Sequence, residues 1–391
     1  MKIVLCTPAS LDMLSDLVEG EPPPGYKFPM TANFARALWN AGHEVVIVTS
    51  TSDVDETTTW TGDRFEIVAT PRRKRARDLC CNLFRTEVHY MRDEIKNRKP
   101  DIAHGHWTYE FAEASIRSGF PNVVTIHDFA PEIFLQFKNL YRFLRFLYSI
   151  PIILKCKHLT AVSPYISEKI SKFYKRNNIL VIPNSLFIKP PPTTKRKEQE
   201  QVAITIVSNN DPRKNNDLAI DAFYKIATLN ENIELFIFGG GFDRIKENLP
   251  SEISRQIVDR IHIMGSRPLS EILIFHITRS DIFLHASLEE SFGMSILEAM
   301  ACGVPVVAGE NSGAVPWVVN HDEGGLLVDV TDSDSIAASL ARLCEDDMLR
   351  KRLGNNAKLR HEKHFAEDTV TARYLALYKS IAAPQRQSIS G

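Results

Sequence analysis

The feature that most constrains this chain is a grammar that runs twice. Short apolar, β-branched runs, each closed by a polar turn, alternate with helical stretches. Strands buried on both faces read as nearly continuous apolar runs, so the pattern predicts parallel sheets covered by helices on both sides. In the first half the predicted strands are Lys2–Cys6, Val45–Thr49, Asp101–His104, Val123–His127 and Leu159–Val162. A helix over Ala32–Asn40 is closed by Gly42. The second half restarts with strands Ala203–Val207, Glu234–Phe238, Arg260–Met264, Asp281–Leu284 and Val304–Val307. Its predicted helices are Asp217–Leu229, Ser270–Ile277 and Ser295–Ala301.

Between the halves stands Lys189-Pro-Pro-Pro-Thr-Thr-Lys-Arg-Lys-Glu-Gln-Glu, stiffened by proline and solvated by charge, which suits an interdomain linker. The predicted organisation is a first domain over 1–188, a linker over 189–201 and a second domain over 202–368. A last helix, about Glu367–Ile381, and a polar tail complete the chain; the segment 369–391 is expected to pack its helix back on the first domain. The predicted fold class is α/β: two Rossmann-like, doubly wound domains facing one another across a cleft, with ligands at the carboxyl ends of the strands.

The 391 residues suit two domains, and 44% hydrophobic with 24% charged residues is a globular composition. Six cysteines show no zinc spacing, and the adjacent Cys80–Cys81 pair suits a disulfide poorly, so a reduced compartment is expected. The N-terminus carries no signal-peptide pattern, and no run approaches the ~18–20 apolar residues of a membrane span. The expectation is a cytoplasmic protein, at most peripheral at the inner face of the membrane. A net charge of −1 calls for no nucleic acid. The charge is uneven, with 25 basic against 20 acidic residues over 1–190 and 22 against 28 in the remainder.

The strand Asp281–Leu284 runs into a turn holding Glu290, Ser291, Phe292 and Gly293, then into a helix near Met294 that ends at Gly303. A helix start offers unpaired N–H groups and the positive end of its dipole, which suits a phosphate. Two carboxylates flank it, Glu290 in the turn and Glu298 on the helix. Carboxylates beside an anion pocket make sense as acceptors for the hydroxyls of a sugar and a ribose. As a bare pair they would also read as a helix-capping acid and a solvated one. Here they are embedded in Glu290-Ser-Phe-Gly-Met-Ser-Ile-Leu-Glu-Ala-Met-Ala-Cys-Gly-Val-Pro-Val-Val, which resembles the E-x7-E region of the retaining glycosyltransferases of family 4. Gly324–Val328 resembles the same family's Gly-Gly-Leu-Leu-Val segment.

That resemblance implies two facing Rossmann-like domains, the GT-B fold. It implies no required cofactor and no metal. It implies a nucleotide-sugar donor (UDP, GDP or ADP, the base undetermined) and a sugar or lipid-linked glycan as acceptor. Carried over, Glu290 lies by the donor sugar and Glu298 contacts the ribose, while backbone N–H groups of Phe292, Gly293 and Met294 hold hydroxyls and phosphate. In the loop Val207-Ser-Asn-Asn-Asp-Pro-Arg-Lys-Asn, Lys214 matches the family's phosphate lysine. Asn209 stands where the family has arginine, with Arg213 as the candidate replacement, and Ser208 and Asn215 stand at its glycine positions. Gly240 and Gly241 match the glycine turn near the nucleotide, and Ser266 with Arg267 the loop near the base.

His127 matches a family histidine at a strand end near the donor sugar. With Glu290 and Lys214 it completes the expected catalytic set. His104, His106, Trp107 and Tyr109 are expected to contact the acceptor. The first loop departs from the family, with Glu21-Pro-Pro-Pro-Gly in place of its Gly-Gly. Two basic stretches, Arg72-Arg-Lys-Arg-Ala-Arg and Lys138-Asn-Leu-Tyr-Arg-Phe-Leu-Arg-Phe-Leu-Tyr, are expected to contact anionic lipid. The function expected is retaining hexosyl transfer in glycan, glycolipid or surface-polysaccharide biosynthesis. The alternatives are a nucleotide-sugar epimerase of the same fold and a catalytically silent binding subunit.

Overall fold

The computed structural model describes residues 1–186, 201–242 and 255–382. The chain divides into two compact units, Met1–Phe187 with Glu367–Gly391, and Ile188–Ala366. The expected linker over 189–201, except Gln201, and the polar tail from residue 383 lie outside the described residues.

The first unit contains β1 (Lys2–Cys6), β2 (Glu44–Thr51), β3 (Thr58–Gly62), β4 (Phe65–Pro71), β5 (Ile102–His106), β6 (Asn122–Ile126), β7 (Leu159–Ala161) and β8 (Leu180–Val181). They form one sheet in the order β3-β4-β2-β1-β5-β6-β7-β8. Strand direction is uniform except at β3, which runs antiparallel to β4. The β3–β4 hairpin corrects the wholly parallel expectation. Its outer strand, Thr-Thr-Trp-Thr-Gly, is polar because it is an edge, and it turns through Arg64 in the left-handed region at φ 55°.

Side chains alternate faces along each strand. Ile3, Leu5, Val45, Ile47, Phe65 and Ile67 therefore pack on one side, against helix Pro29–Asn40. Val4, Cys6, Val46, Val48 and Val68 pack on the other, against helices Arg85–Arg98 and Glu110–Arg117. Helix Pro29–Asn40 begins earlier than expected because a proline, pre-set in φ and lacking an N–H, fits its first turn. The triple-proline loop is pinned across the start of the chain: Leu11 N–H donates to Pro24 O and Tyr26 N–H to Ala9 O, both at 2.9 Å.

The last helix, Glu367–Ala382, belongs to this unit. Val370, Tyr374, Tyr378 and Ile381 enter the Ile3–Leu5 core. Tyr378 Oη shares a hydrogen bond of 2.6 Å with His104 Nδ1, and Tyr374 Oη one of 3.2 Å with Thr125 Oγ1.

The second unit contains β9 (Val202–Val207), β10 (Ile233–Phe238), β11 (Ile261–Gly265), β12 (Ile282–His285), β13 (Val306–Gly309) and β14 (Gly325–Val328). All are parallel, in the order β11-β10-β9-β12-β13-β14. From β9 the chain winds outward through β10 to β11, then crosses back to β12 and winds the other way. The direction of winding thus reverses between β9 and β12, and loops there part to leave a crevice at the strand ends.

The buried face of the Glu367–Ala382 helix makes a prediction. Replacing fully buried Tyr378 by alanine costs about 3–5 kcal/mol of the first unit's stability, against about 1 kcal/mol for Tyr378→Phe, which keeps the ring and loses one hydrogen bond. Urea unfolding of the three proteins measures the difference.

Candidate active site

The reversal point of the second unit gathers the expected donor residues. The loop after β9 carries Lys214 and the loop after β12 carries Glu290. Lys214 Nζ donates to Glu290 Oε1 at 2.5 Å. His285, the last residue of β12, places Nε2 at 3.3 Å from the same oxygen. Burial works against ionisation of Glu290, but His285 and Lys214 outweigh it and hold the carboxyl well below the usual carboxylate range. The two loops are also joined through their backbones, since Leu288 N–H donates to Arg213 O at 2.9 Å.

Asn215 sits at φ 54°, in the left-handed region, and its side chain donates to Val330 O at 2.7 Å. Only glycine, asparagine or aspartate enters this region cheaply. Asparagine can therefore stand where the resembling family has glycine without moving Lys214.

Helix Met294–Ala301 follows Glu290. Gly293 caps it at φ 98°, no side chain caps it among the described residues, and its first turn holds no acid. The first N–H groups of such a helix have no partner within the helix. Phe292 is buried and packs edge-on against Trp317 and Phe365, so its side chain anchors the turn. Ser291 and Met294 are half-buried beside it. Glu298, one helical face further on, is also half-buried, and burial pushes its carboxyl up to about 8.

A third wall is the turn after β10. Asn210 N–H donates to Gly240 O at 2.9 Å, and Asn210 Nδ2 to Gly241 O at 3.0 Å. A Cβ on Gly239 would lie 1.7 Å from Ser208 O, so glycine is obligatory at that crossing. Gly240 faces Ser266, whose Oγ would lie 3.5 Å from a Cβ there.

Three candidates are placed differently. Arg213 is held by Asp211, with Nε–Oδ1 at 3.0 Å and Nη2–Oδ2 at 2.9 Å, and the charges of Glu290 and Glu289 act on it as well. Asn209 is exposed, and its carbonyl accepts from Asn216 Nδ2 at 3.0 Å. Arg267 is exposed and donates to Met264 O at 3.0 Å.

In the first unit the winding reverses between β1 and β5, and the expected histidines stand at the ends of β5 and β6. His106 Nδ1 and His127 Nε2 share a hydrogen bond of 2.9 Å. Trp107, itself at φ 63°, lies 4.5 Å from the His127 ring. Burial pushes His104 and His127 down to about 3, and His106 well below its usual value, so the cluster is neutral.

Three acceptor candidates are buried: His104, His106 and Tyr109. His104 is fully buried with both ring nitrogens engaged, by Tyr378 and Thr125. Tyr109 is buried, and its Oη donates to Asp128 Oδ1 at 3.3 Å. These are packing groups, which leaves His127 and Trp107 as the half-buried members. A cavity of about 590 Å³ in this unit is lined by Arg92, Arg117, Tyr148 and Lys155 of the helical layer, away from the strand ends. Among the described residues no cluster of three metal-ligating side chains occurs.

The sequence reading missed His285. The available signal was its place: like His127, it closes an apolar strand.

Comparison with known proteins defines the family and the fold. Residues 30–186 match the family model of Glycosyltransferase Family 4, and residues 191–360 that of Glycosyl transferases group 1. The chain belongs to the GT-B glycosyltransferases of family 4. N-acetyl-alpha-D-glucosaminyl L-malate synthase of Bacillus anthracis is 30% identical over 181 residues, 45% of this chain and 44% of that protein. The chain thus matches less than half the length of that relative. Sucrose-phosphate synthase of Thermosynechococcus elongatus superposes with a TM-score of 0.79 at 18% identity, over 98% of this chain and 100% of its own. Anabaena HepE, in complex with UDP and glucose, gives 0.68 at 18% identity, over 97% and 100%. At these identities the likeness is one of fold.

Glu298 yields a prediction independent of ligand. Burial pushes its carboxyl up to about 8 in the folded state, against an ordinary value of 4.5. Between those values the native state holds more protons than the unfolded one, so stability falls as pH rises. Glu298→Gln therefore raises the urea midpoint at pH 8, leaves it nearly unchanged at pH 4.5 and flattens the slope between.

Proposed function

We propose that this protein is a retaining glycosyltransferase that moves a hexose or related sugar from a nucleoside-diphosphate sugar to a hydroxyl acceptor. The observation that carries the reading is the Lys214–Glu290 pair beside the uncapped start of helix Met294–Ala301. One cation, one carboxylate and a helix start meet at the winding reversal of a parallel sheet. That the structurally similar HepE is found in complex with UDP and glucose supports a nucleotide-sugar donor.

In this reading the diphosphate takes the Gly293–Met294 N–H groups, and Lys214 turns from Glu290 to the phosphate. Glu290, still held ionised by His285, accepts hydrogen bonds from donor-sugar hydroxyls. Glu298 accepts from the ribose, and the Gly239–Gly241 turn lets backbone approach the nucleotide. Ser266 and Arg267 lie on the base side. His127, neutral and with its ring 4.5 Å from that of Trp107, is proposed to contact a sugar. His106 fixes its ring. The acceptor is a sugar or lipid-linked glycan.

The bond from the anomeric carbon to the phosphate oxygen breaks and one to the acceptor oxygen forms on the same face. The acceptor's proton passes to the departing phosphate. Stabilising charge on that phosphate is the main electrostatic task, and Lys214 with the helix start performs it. No metal or other cofactor enters the scheme.

Turnover with a panel of UDP-, GDP- and ADP-sugars tests the reading, with product anomeric configuration followed by NMR. Lys214→Ala lowers kcat/KM by about 100-fold or more, the loss expected for one preorganised charge. Glu290→Gln lowers kcat by a similar order. Full activity in both variants, or an inverted anomer, contradicts the mechanism. Sugar interconversion without acceptor would mark an epimerase instead.

A further inference from the structure

Helix Leu140–Lys155 of the first unit wears its apolar residues on the wrong side. Leu140, Phe143, Leu147 and Leu154 are 71, 37, 43 and 50% exposed. Pro151 is exposed as well, so the five positions follow one another at helical spacings of three and four and form one outward stripe. A surface helix ordinarily turns polar residues outward. Leu135 and Phe137 extend the stripe through the preceding turn, and Phe173, 53% exposed, lies beside it with its ring 6.1 Å from Phe146. A contiguous exposed apolar patch of this kind marks a docking surface.

The charge around it identifies the partner. Residues 133–180 contain nine lysines and arginines and a single acid, Glu168. Glu168 is paired with Lys172 at 2.5 Å, and nearby Glu132 with Lys169. The helix itself contains no acid. Arg142 lies 5.1 Å over the Phe137 ring, at the edge of the patch, and Lys138, Lys155 and Lys157 are exposed. Apolar side chains rimmed by cations, with every acid in the segment already neutralised, complement an interface that is oily below and anionic above.

In the other basic stretch Lys74, Arg75 and Arg77 are exposed, while its first two arginines turn inward. Arg72 turns inward to buried Glu110 at 2.9 Å, and Arg73 to buried Glu87 at 2.7 Å. Arg145, on the inner side of the helix, lies 3.7 Å from the Tyr109 ring centroid.

We infer that the 135–157 face docks on an anionic lipid bilayer, with the stripe inserted at the headgroup level and the helix lying in the interface plane. No described helix is long and apolar enough to cross a membrane, so the contact is a surface one. The inference stands independently of the transferase reading.

Flotation of the full-length chain with vesicles of phosphatidylglycerol and phosphatidylcholine, against phosphatidylcholine alone, tests it. Binding is expected to the anionic vesicles at low salt and to weaken as salt rises. Lys138→Glu with Arg142→Glu lowers the partition by about tenfold or more. Phe143→Ser with Leu147→Ser does the same, and because both sites are exposed the thermal unfolding midpoint stays where it was. No binding to anionic vesicles at low salt overturns the inference, as does equal binding by the serine variant. So does a stable dimer, by light scattering, that the serine variant abolishes without any vesicle binding, since the stripe would then be covered by a second copy.

Discussion

The Lys214–Glu290 ion pair is the contact on which the second unit's site depends. It joins the loop after β9 to the loop after β12, the two loops that the reversal of winding drives apart. It is not alone: Leu288 N–H reaches Arg213 O, and Ala314 N–H reaches Glu290 O at 2.9 Å. The pair keeps a carboxylate ionised in a largely buried place, which a lone glutamate there would not be. Its neighbour Glu298 shows the contrast. Without a cation beside it, burial alone pushes its carboxyl up to about 8. Two carboxyls on either side of one helix start thus differ in protonation because one has Lys214 and His285 and the other has neither.

The two units share a winding plan but present different chemistry at the strand ends. In the second, charge is placed on loops and matched by opposite charge. In the first, the ends of β5 and β6 carry histidines that burial keeps neutral, stacked at 4.1 Å between His104 and His106 and bonded between His106 and His127. A neutral, rigid surface beside Trp107 suits holding hydroxyls by shape, and the charged set suits holding a diphosphate. The Glu367–Ala382 helix reinforces the neutral set, since Tyr378 reaches His104 from behind.

Much of the fold was legible because its strands are short apolar runs between turns. Lys2–Cys6 is read from sequence with the bounds it has in the fold, and helix Ser270–Ile277 is extended by one residue at each end. The hairpin edge β3 escaped because all five of its residues are threonine, tryptophan or glycine outside any apolar run. Strand β13 begins at Val306 rather than Val304, after Pro305, which has no N–H to give a ladder. At the site, a motif can name Glu290 and Glu298 but cannot show that one is ionised and the other protonated, since that follows from groups distant in sequence. Arg213 reads from sequence as a second phosphate cation, and no motif shows that Asp211, two residues away, shares its guanidinium. His104 read as a ligand because its burial depends on Tyr378, at the other end of the chain.

The central claim is that a diphosphate belongs at the start of helix Met294–Ala301, with Lys214 as its cation. A crystal structure with a bound nucleoside diphosphate, preceded by calorimetric titration with UDP, GDP and ADP, tests it most directly. The account predicts saturable binding of at least one of them, with phosphate oxygens within hydrogen-bonding distance of the Gly293–Met294 N–H groups and Lys214 Nζ released from Glu290. A nucleotide bound elsewhere, or one that leaves the Lys214–Glu290 pair closed and the helix start untouched, would contradict it.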